Sequence, residues 1–250
     1  MLKASYANVS KLKYVAQALA KVGDEALVKA DADGLTFKVL SPDKLILAVF
    51  RMPLTSFEEY HLDEVYTFTI RTDRFSAAVK RGTRNDMLEL EYDPENDLLR
   101  VVFRDKKTGI PRVFEMQTMP GLSSDIPEPR VTLTTKVLMS TDDFKHILSD
   151  SKSVGADSLV FQAKEEELIV RAESEPYEYR ALFRVGAPLI DLETPGNEEA
   201  SYLLAALQAA AKPASAADEV VVEFSTNMPM KIHYKLAGGE DLYLWVAPAV

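Results

Sequence analysis

The sequence predicts an α+β protein of two similar domains, each with two helices packed on antiparallel sheets. Three observations carry that reading. A proline-bearing stretch, Met119–Arg130, divides the chain into pieces of nearly equal length, residues 1–118 and 131–250. Both pieces run through the same order of strand-like and helix-like segments. Single residues repeat as well: Val22-Gly23 with Leu27-Val28 recurs as Val154-Gly155 with Leu159-Val160, a constant shift of 132 positions. Leu35 matches Leu168 at a shift of 133, as if one residue had been added at a hairpin tip. We therefore expect an N-terminal domain over 1–118, a connector over 119–130 and a C-terminal domain over 131–250.

The connector is expected to be extended. Pro120, Pro127 and Pro129 cannot sit inside a helix, lack backbone donors, and push the residues before them towards extended conformations. In the first half, Leu2–Tyr6 reads as a strand, and Asn8 or Ser10 is placed to cap the helix that follows. Val9, Leu12, Val15, Ala16 and Leu19 form a helical stripe that Gly23 stops. Ala26–Ala30 and Leu35–Leu40 flank an Asp33-Gly34 turn, the signature of a hairpin. Lys44–Met52 and Tyr66–Ile70 read as strands and Thr72–Arg84 as a helix, followed by strands Met87–Tyr92, Leu98–Arg104 and Ile110–Gln117. The second half repeats the order. Strand Thr132–Met139 precedes helix Thr141–Val154, then come strands Leu159–Ala163, Leu168–Ala172 and Glu178–Arg184. Helix Glu198–Lys212 and strands Glu219–Ser225, Pro229–Leu236 and Asp241–Ala247 complete it.

Composition excludes several function classes. No apolar run approaches the ~18 residues of a membrane helix, and the N-terminus shows no signal-peptide pattern. With no cysteine there is neither a disulfide nor a thiolate metal site, which suits a cytoplasmic setting. His61, His146 and His233 lie far apart, and the ten glycines form no phosphate-binding pattern, so neither an enzyme nor a cofactor is expected. Asp31-Ala32-Asp33-Gly34 resembles the start of a calcium loop, but Lys29 and Leu40 stand where carboxylates are needed, so no metal is expected. Glu58-Glu59, Asp142-Asp143 and Glu165–Glu167 read as solvated faces.

The net charge is −10, yet it is unevenly spread. Val9–Val22 carries +3 and Arg71–Arg84 carries +4, whereas Thr141–Val154 and Glu198–Lys212 carry −1 each. Basic helix faces on an acidic chain suggest a local patch for phosphates. Ile110–Gln117 and Glu178–Arg184 are candidate exposed edges, one per half. Unlike edges that meet head to tail close into a ring when the rotation allows.

Several short motifs then fall in one order. They are Glu25-Ala26, Leu35–Leu40 running into Ser41-Pro42-Asp43-Lys44, Phe57-Glu58-Glu59-Tyr60, Ile126-Pro127-Glu128, Pro229-Met230-Lys231-Ile232 and Val246-Ala247-Pro248-Ala249-Val250. Together they resemble the sliding clamps of archaea and eukaryotes, the proliferating cell nuclear antigen (PCNA) family, over the whole chain. The Arg104–Gly109 turn and Trp245 are most similar to the crenarchaeal branch, where several clamp paralogues share one ring. The resemblance implies the DNA clamp fold and a homotrimeric or heterotrimeric ring around double-stranded DNA, bound without regard to sequence. It also implies a processivity factor for DNA polymerase, opened by a clamp loader and docking flap endonuclease and DNA ligase, in the cytoplasm on the nucleoid. A scaffold that oligomerises without encircling DNA is the alternative.

Site residues follow from the same resemblance. Lys11, Lys13, Lys21, Lys80, Arg81, Arg84, Lys145, Lys152 and Lys212 are expected to face DNA, though Ala20 and Ala77 replace lysines common in relatives. Client peptides are expected at Leu40, the Ser41, Pro42, Asp43, Lys44 and Leu45 loop, Leu122, Ile126, Pro229 and the tail Ala247, Pro248 and Ala249, where relatives usually carry a base in place of Ala249. Leu122 and Ile126 are apolar in a polar tether and so need a surface to cover. Ile110, Arg112 and Phe114 on one edge, Tyr179, Leu182 and Phe183 on the other, and Ile147 and Ser151 on the adjacent helix are expected between subunits.

Overall fold

Alternating buried and exposed positions along each strand, set against two amphipathic helices, build each half of the chain. The computed structural model describes residues 1–121, 125–186 and 188–249 and contains two compact units. The first comprises Met1–Pro42, Ala48–Pro127 and Leu236–Leu242; the second comprises Asp43–Leu47, Glu128–Lys235 and Tyr243–Val250. The change of unit at Pro127 falls within the connector, while two short segments on either side belong with the other unit.

The first unit holds β1 (Leu2–Tyr6), α1 (Val9–Val22), β2 (Glu25–Asp31), β3 (Gly34–Leu40), β4 (Ile46–Pro53), β5 (Glu59–Leu62), β6 (Tyr66–Arg71), α2 (Thr72–Val79), β7 (Asp86–Asp93), β8 (Leu98–Asp105), β9 (Pro111–Gln117) and β10 (Met119–Pro120). One sheet runs β5-β1-β7-β8-β9 and another run is β10-β6-β2-β3-β4. α1 packs beside α2 and reaches both β3 and β7. Between them, Phe37 stacks on Phe75 at 5.5 Å and approaches Phe50 at 5.9 Å, all fully or almost fully buried. Rings packed this way bury large apolar areas and fix the helix layer on the sheet.

The second unit holds β11 (Thr135–Ser140), α3 (Thr141–Ser153), β12 (Ser158–Lys164), β13 (Glu167–Ser174), β14 (Tyr177–Val185), β15 (Pro188–Leu189), β16 (Asp191–Glu193), β17 (Glu198–Leu203), α4 (Leu204–Leu207), β18 (Glu219–Phe224), β19 (Met230–Lys235) and β20 (Asp241–Val246). Its sheet runs β15-β14-β13-β12-β17, and a second run is β20-β19-β18-β11-β16. Phe161, Tyr202 and Phe224 form the corresponding aromatic core at 6.1 and 6.2 Å. α3 begins at a reciprocal cap: Asp143 N donates to Ser140 Oγ, and Ser140 Oγ donates to the Asp143 carboxylate at 2.6 Å.

Three segments differ from the sequence reading. Glu198–Lys212 is not one helix: Glu198–Leu203 is strand β17, and the helical part is α4 followed by 3₁₀ turns at Gln208–Ala211 and Pro213–Ser215. Ala200 and Tyr202 are buried on one face while their neighbours are not, and pairing with β12 satisfies the backbone, so tertiary context overrides the helix preference of Glu and Ala. α2 stops at Val79 instead of running to Arg84: Arg81 N and Gly82 N donate to the carbonyls of Ala78 and Val79 in a tightened turn, and Gly82 lies so close to Val9 and Phe103 that a Cβ there would overlap them. β4 starts at Ile46, since Lys44 has a left-handed φ of 59°. The short strands β5, β15 and β16 carried no periodicity long enough to read.

Gly34 occupies the Asp-Gly turn with φ of 129°, and a Cβ there would lie 2.1 Å from the carbonyl oxygen of Met52. We expect Gly34→Ala to cost about 2–4 kcal/mol of stability through backbone strain and overlap together, measured as a lowered urea midpoint.

Candidate functional site

β9 is an edge strand, paired only with β8 in its sheet order. Val113 on this strand and Ile110 just before it are largely exposed, at 51% and 62%. Arg112 does not project freely from this edge. Its guanidinium donates to the Asp86 carboxylate at 2.7 Å and to the carbonyl of Arg81 at 3.2 Å, and it lies over the Phe103 ring. Asp86 also accepts from Thr83 N and Thr83 Oγ1, at 2.7 and 2.8 Å, and is almost wholly buried. Burial pushes the Asp86 carboxyl up, but the hydrogen bonds from Arg112 and Thr83 outweigh it, so the group lies below the usual carboxylate range. This clasp ties the end of α2 to the sheet edge. The sequence carried a faint signal for it: Asp86 shares the buried face of β7 with Leu88 and Leu90.

Beside the same edge, Arg71, Arg74 and Arg81 line a groove of about 550 Å3 with Phe114 and Met116. Arg81 therefore stands next to the edge strand as well as on the basic helix layer. Lys11, Lys21, Lys80 and Arg84 are exposed, and Lys13 is half-buried with its ammonium 4.9 Å from the Tyr14 ring centre. These bases come from the exposed sides of α1 and α2 and the turn after α2, whose apolar faces are buried in the unit.

In the second unit, β14 pairs with β13 along its length and with β15 only at Arg184 and Val185. Among the described residues, Tyr177–Phe183 has no strand on its other side. Leu182 is 46% exposed, Tyr179 is half-buried and Phe183 is buried. Burial raises the Tyr179 phenol, and the Asp150 charge raises it further, which places α3 alongside this edge. Ile147 and Ser151 are wholly buried; the Ser151 hydroxyl donates to the carbonyl of Ile147 at 2.6 Å. They belong to the core of the unit, which corrects their assignment to a contact surface: the exposed positions on that turn are His146, Ser149 and Asp150. Of the bases, Lys145 is paired with Asp142 at 3.1 Å, while Lys152 and Lys212 are exposed.

The expected peptide-docking residues divide between the units. Leu40 is 37% exposed on the outer face of β3, and Ile126 is half-buried on the connector. Lys38, on the same face as Leu40, donates to both carboxylate oxygens of Asp125 at 3.0 and 2.8 Å and to the carbonyl of Ile126 at 2.9 Å. Leu122 lies outside the described residues. In the second unit, Asp43 accepts from Leu45 N at 3.0 Å, closing the turn that holds Lys44. Ala247 N donates to the carbonyl of Leu45 at 2.8 Å and Ala249 N to that of Ser201 at 2.7 Å, so the tail is held as an extended segment. Ser41 is buried, Pro42 is exposed, and Pro229 and Pro248 are half-buried. Among the described residues, no group of three His, Cys, Asp or Glu is placed to hold a metal, and no helix is long and apolar enough to cross a membrane.

Comparison with known proteins gives consistent matches. The family described as repair protein Rad1/Rec1/Rad17 matches residues 1–222. A DNA polymerase sliding clamp of Thermococcus onnurineus is 28% identical over 228 residues, covering 91% of this chain and 90% of the relative. Among solved structures, PCNA from Thermococcus kodakaraensis superposes with a TM-score of 0.91 at 22% identity over 100% of both chains. A chain of the PCNA2–PCNA3 complex from Sulfolobus tokodaii gives 0.88 at 23% identity over 98% of each. At those identities the two structures establish the fold.

The Asp86 clasp has a definite pH signature. Its folded-state value is depressed, so its contribution is complete above the unfolded carboxylate value of about 3.9 and is lost as pH falls through the folded value. Asp86→Asn is expected to lower stability at neutral pH by about 1–3 kcal/mol, with the gap from the unaltered protein closing below about pH 4. Urea denaturation of both proteins across that range checks it.

Proposed function

The chain belongs to the Rad1/Rec1/Rad17 repair-protein family, whose fold it shares with the DNA polymerase sliding clamps, and from that premise we propose that it is a subunit of a sliding clamp. In this reading it forms a trimeric ring around double-stranded DNA, holds DNA polymerase on its template, and docks replication and repair enzymes. The observation that carries the proposal is the pair of unlike open edges, β9 on one unit and β14 on the other. Each leaves a row of backbone donors and acceptors for another chain to complete, and head-to-tail pairing closes into a ring when the angle per subunit permits. The relative solved as a complex of PCNA2 with PCNA3 joins two different clamp chains, so the neighbours of this chain are either copies of itself or paralogues.

A clamp must remain on DNA and still move. Base-specific contacts would stop it at preferred sites, so its inner surface needs only weak attraction to phosphates. Lys11, Lys13, Lys21, Lys80 and Arg84 supply such attraction from the α1–α2 layer, with Lys152 and Lys212 adding to it from the second unit. The chain itself has no catalytic role here; polymerase, clamp loader, flap endonuclease and DNA ligase are its partners. Peptides from such partners dock by apolar anchors on the face that carries Leu40 and Ile126 and on the tail at Ala247–Ala249. The ring works in the cytoplasm, on the nucleoid.

Three experiments test this. Light scattering is expected to find a trimer, alone or with paralogues, that stimulates polymerase on primed circular DNA; a persistent monomer in both conditions refutes the ring. Assembly without stimulation favours the plain scaffold. Changing both Lys13 and Lys80 to Glu is expected to leave the trimer intact and weaken retention on circular DNA by several-fold at low salt, with the difference from the unaltered protein shrinking as salt rises. Leu40→Ala with Ile126→Ala is expected to weaken a client peptide of micromolar affinity by about 2–4 kcal/mol in titration calorimetry.

A further inference from the structure

We propose that Lys38 is a positioning residue that clips the connector to the outer face of β3, and so fixes the surface that client peptides meet; the second half of this statement rests on the clamp reading above. β3 alternates strictly. Leu35, Phe37 and Val39 point into the core, while Thr36, Lys38 and Leu40 share the outer face. Lys38 is opposite Leu27 on β2, itself buried, so the aliphatic stem crosses covered ground and its side chain is only 12% exposed. The ammonium emerges under the connector and meets Asp125 twice and the Ile126 carbonyl once.

The sequence on either side explains why a side chain does this work. Ile126 is followed by Pro127, and Pro129 comes two residues later; neither proline has an N–H to offer a neighbouring strand. β3 is already flanked by β2 and β4, so no backbone ladder to it is open and only a side chain can hold the connector over its outer face. The Ile126 carbonyl and the Asp125 carboxylate accept from Lys38, which presents a charged donor at the required height. Lys29 reinforces the arrangement. It stands opposite Thr36, is ion-paired with Asp31 at 2.8 Å, and feels the Asp125 charge as well. Asp125 is thus drawn towards a basic pair on the β2–β3 surface. Because Lys38 holds the backbone of Ile126 and lies two residues before Leu40, one contact fixes both apolar groups relative to each other.

The test uses the full chain in its assembled state and separates the clip from the client reading. Arg130 is exposed on the connector, so cleavage after it by the arginine-specific protease clostripain reports how firmly that segment is held. Lys38→Met keeps the apolar stem and removes the charge. It is expected to speed cleavage after Arg130 by about tenfold while the thermal midpoint stays that of the unaltered protein. It is also expected to raise the dissociation rate of a synthetic peptide with apolar anchor side chains, taken from a polymerase that the ring stimulates, by about three- to tenfold. Exchanging the charges, Lys38→Asp with Asp125→Lys, is expected to recover slow cleavage and slow dissociation, which neither single change does. Unaltered cleavage in Lys38→Met overturns the clip, as does failure of the exchanged pair to recover. If the unaltered protein binds no peptide, the client half is overturned, and the cleavage comparison still decides the clip.

Discussion

Two unfinished sheet edges govern the rest of this molecule. β9 ends a five-strand sheet and β14 is covered on its outer side only at Arg184 and Val185 by the short β15; each exposes aliphatic side chains, and each leaves backbone groups unpaired by another strand among the described residues. Edges of this kind are a hazard on a soluble monomer, because any strand can add to them. They become an asset only when pairing is confined to one partner and one angle. Copies joined through unlike edges either close after a fixed number of steps or grow without limit, and the outcome depends on the rigidity of the edge. The clasp of Arg112 on Asp86 and on the Arg81 carbonyl supplies that rigidity for β9. It spends a charge inside the subunit that could have gone to a partner, and in return the edge strand is registered against α2.

The charge distribution belongs to the same logic. A ring that relies on enclosure has no use for tight nucleic-acid contacts, and a chain of net charge −10 is a poor general binder of DNA. Among the helical segments, a net positive charge belongs to α1 and to α2 with its flanking residues, and on α3 the Lys145–Asp142 pair weakens the basic side further. Such a surface attracts phosphates over roughly a Debye length, about 8–10 Å at ordinary salt, without naming a base. Movement along the duplex then costs little, since each phosphate released is replaced by an equivalent one.

Much of this was legible in the sequence because the fold rests on period and repetition. The stripe Val9–Leu12–Val15–Leu19 and the Asp33-Gly34 turn specify their elements locally, and the recurrence of Leu27-Val28 as Leu159-Val160 exposed the duplication. Glu198–Leu203 misled because two glutamates and an alanine favour a helix, whereas pairing with β12 decides the outcome. Ile147 and Ser151 misled for a different reason. Assigning a helix turn to a contact surface is a statement about region, and only packing shows which residues of that turn point inward. The Asp86–Arg112 and Lys38–Asp125 contacts join residues 26 and 87 positions apart, and a single sequence holds no record of such pairs.

The connector shows why weak contacts are needed where partners exchange. Beyond β10, which pairs with β6, the connector has no strand edge to join at β3, because β3 is already flanked by β2 and β4. Side-chain contacts from the outer face of β3 are what remain to hold it. An ion pair to Asp125, whose side chain is 69% exposed, is screened by water and belongs to the range of about 0–1 kcal/mol. A clip of that strength orders the segment without fixing it permanently. The prolines thus keep the connector extended, while the paired neighbours of β3 leave its position on that face to one lysine.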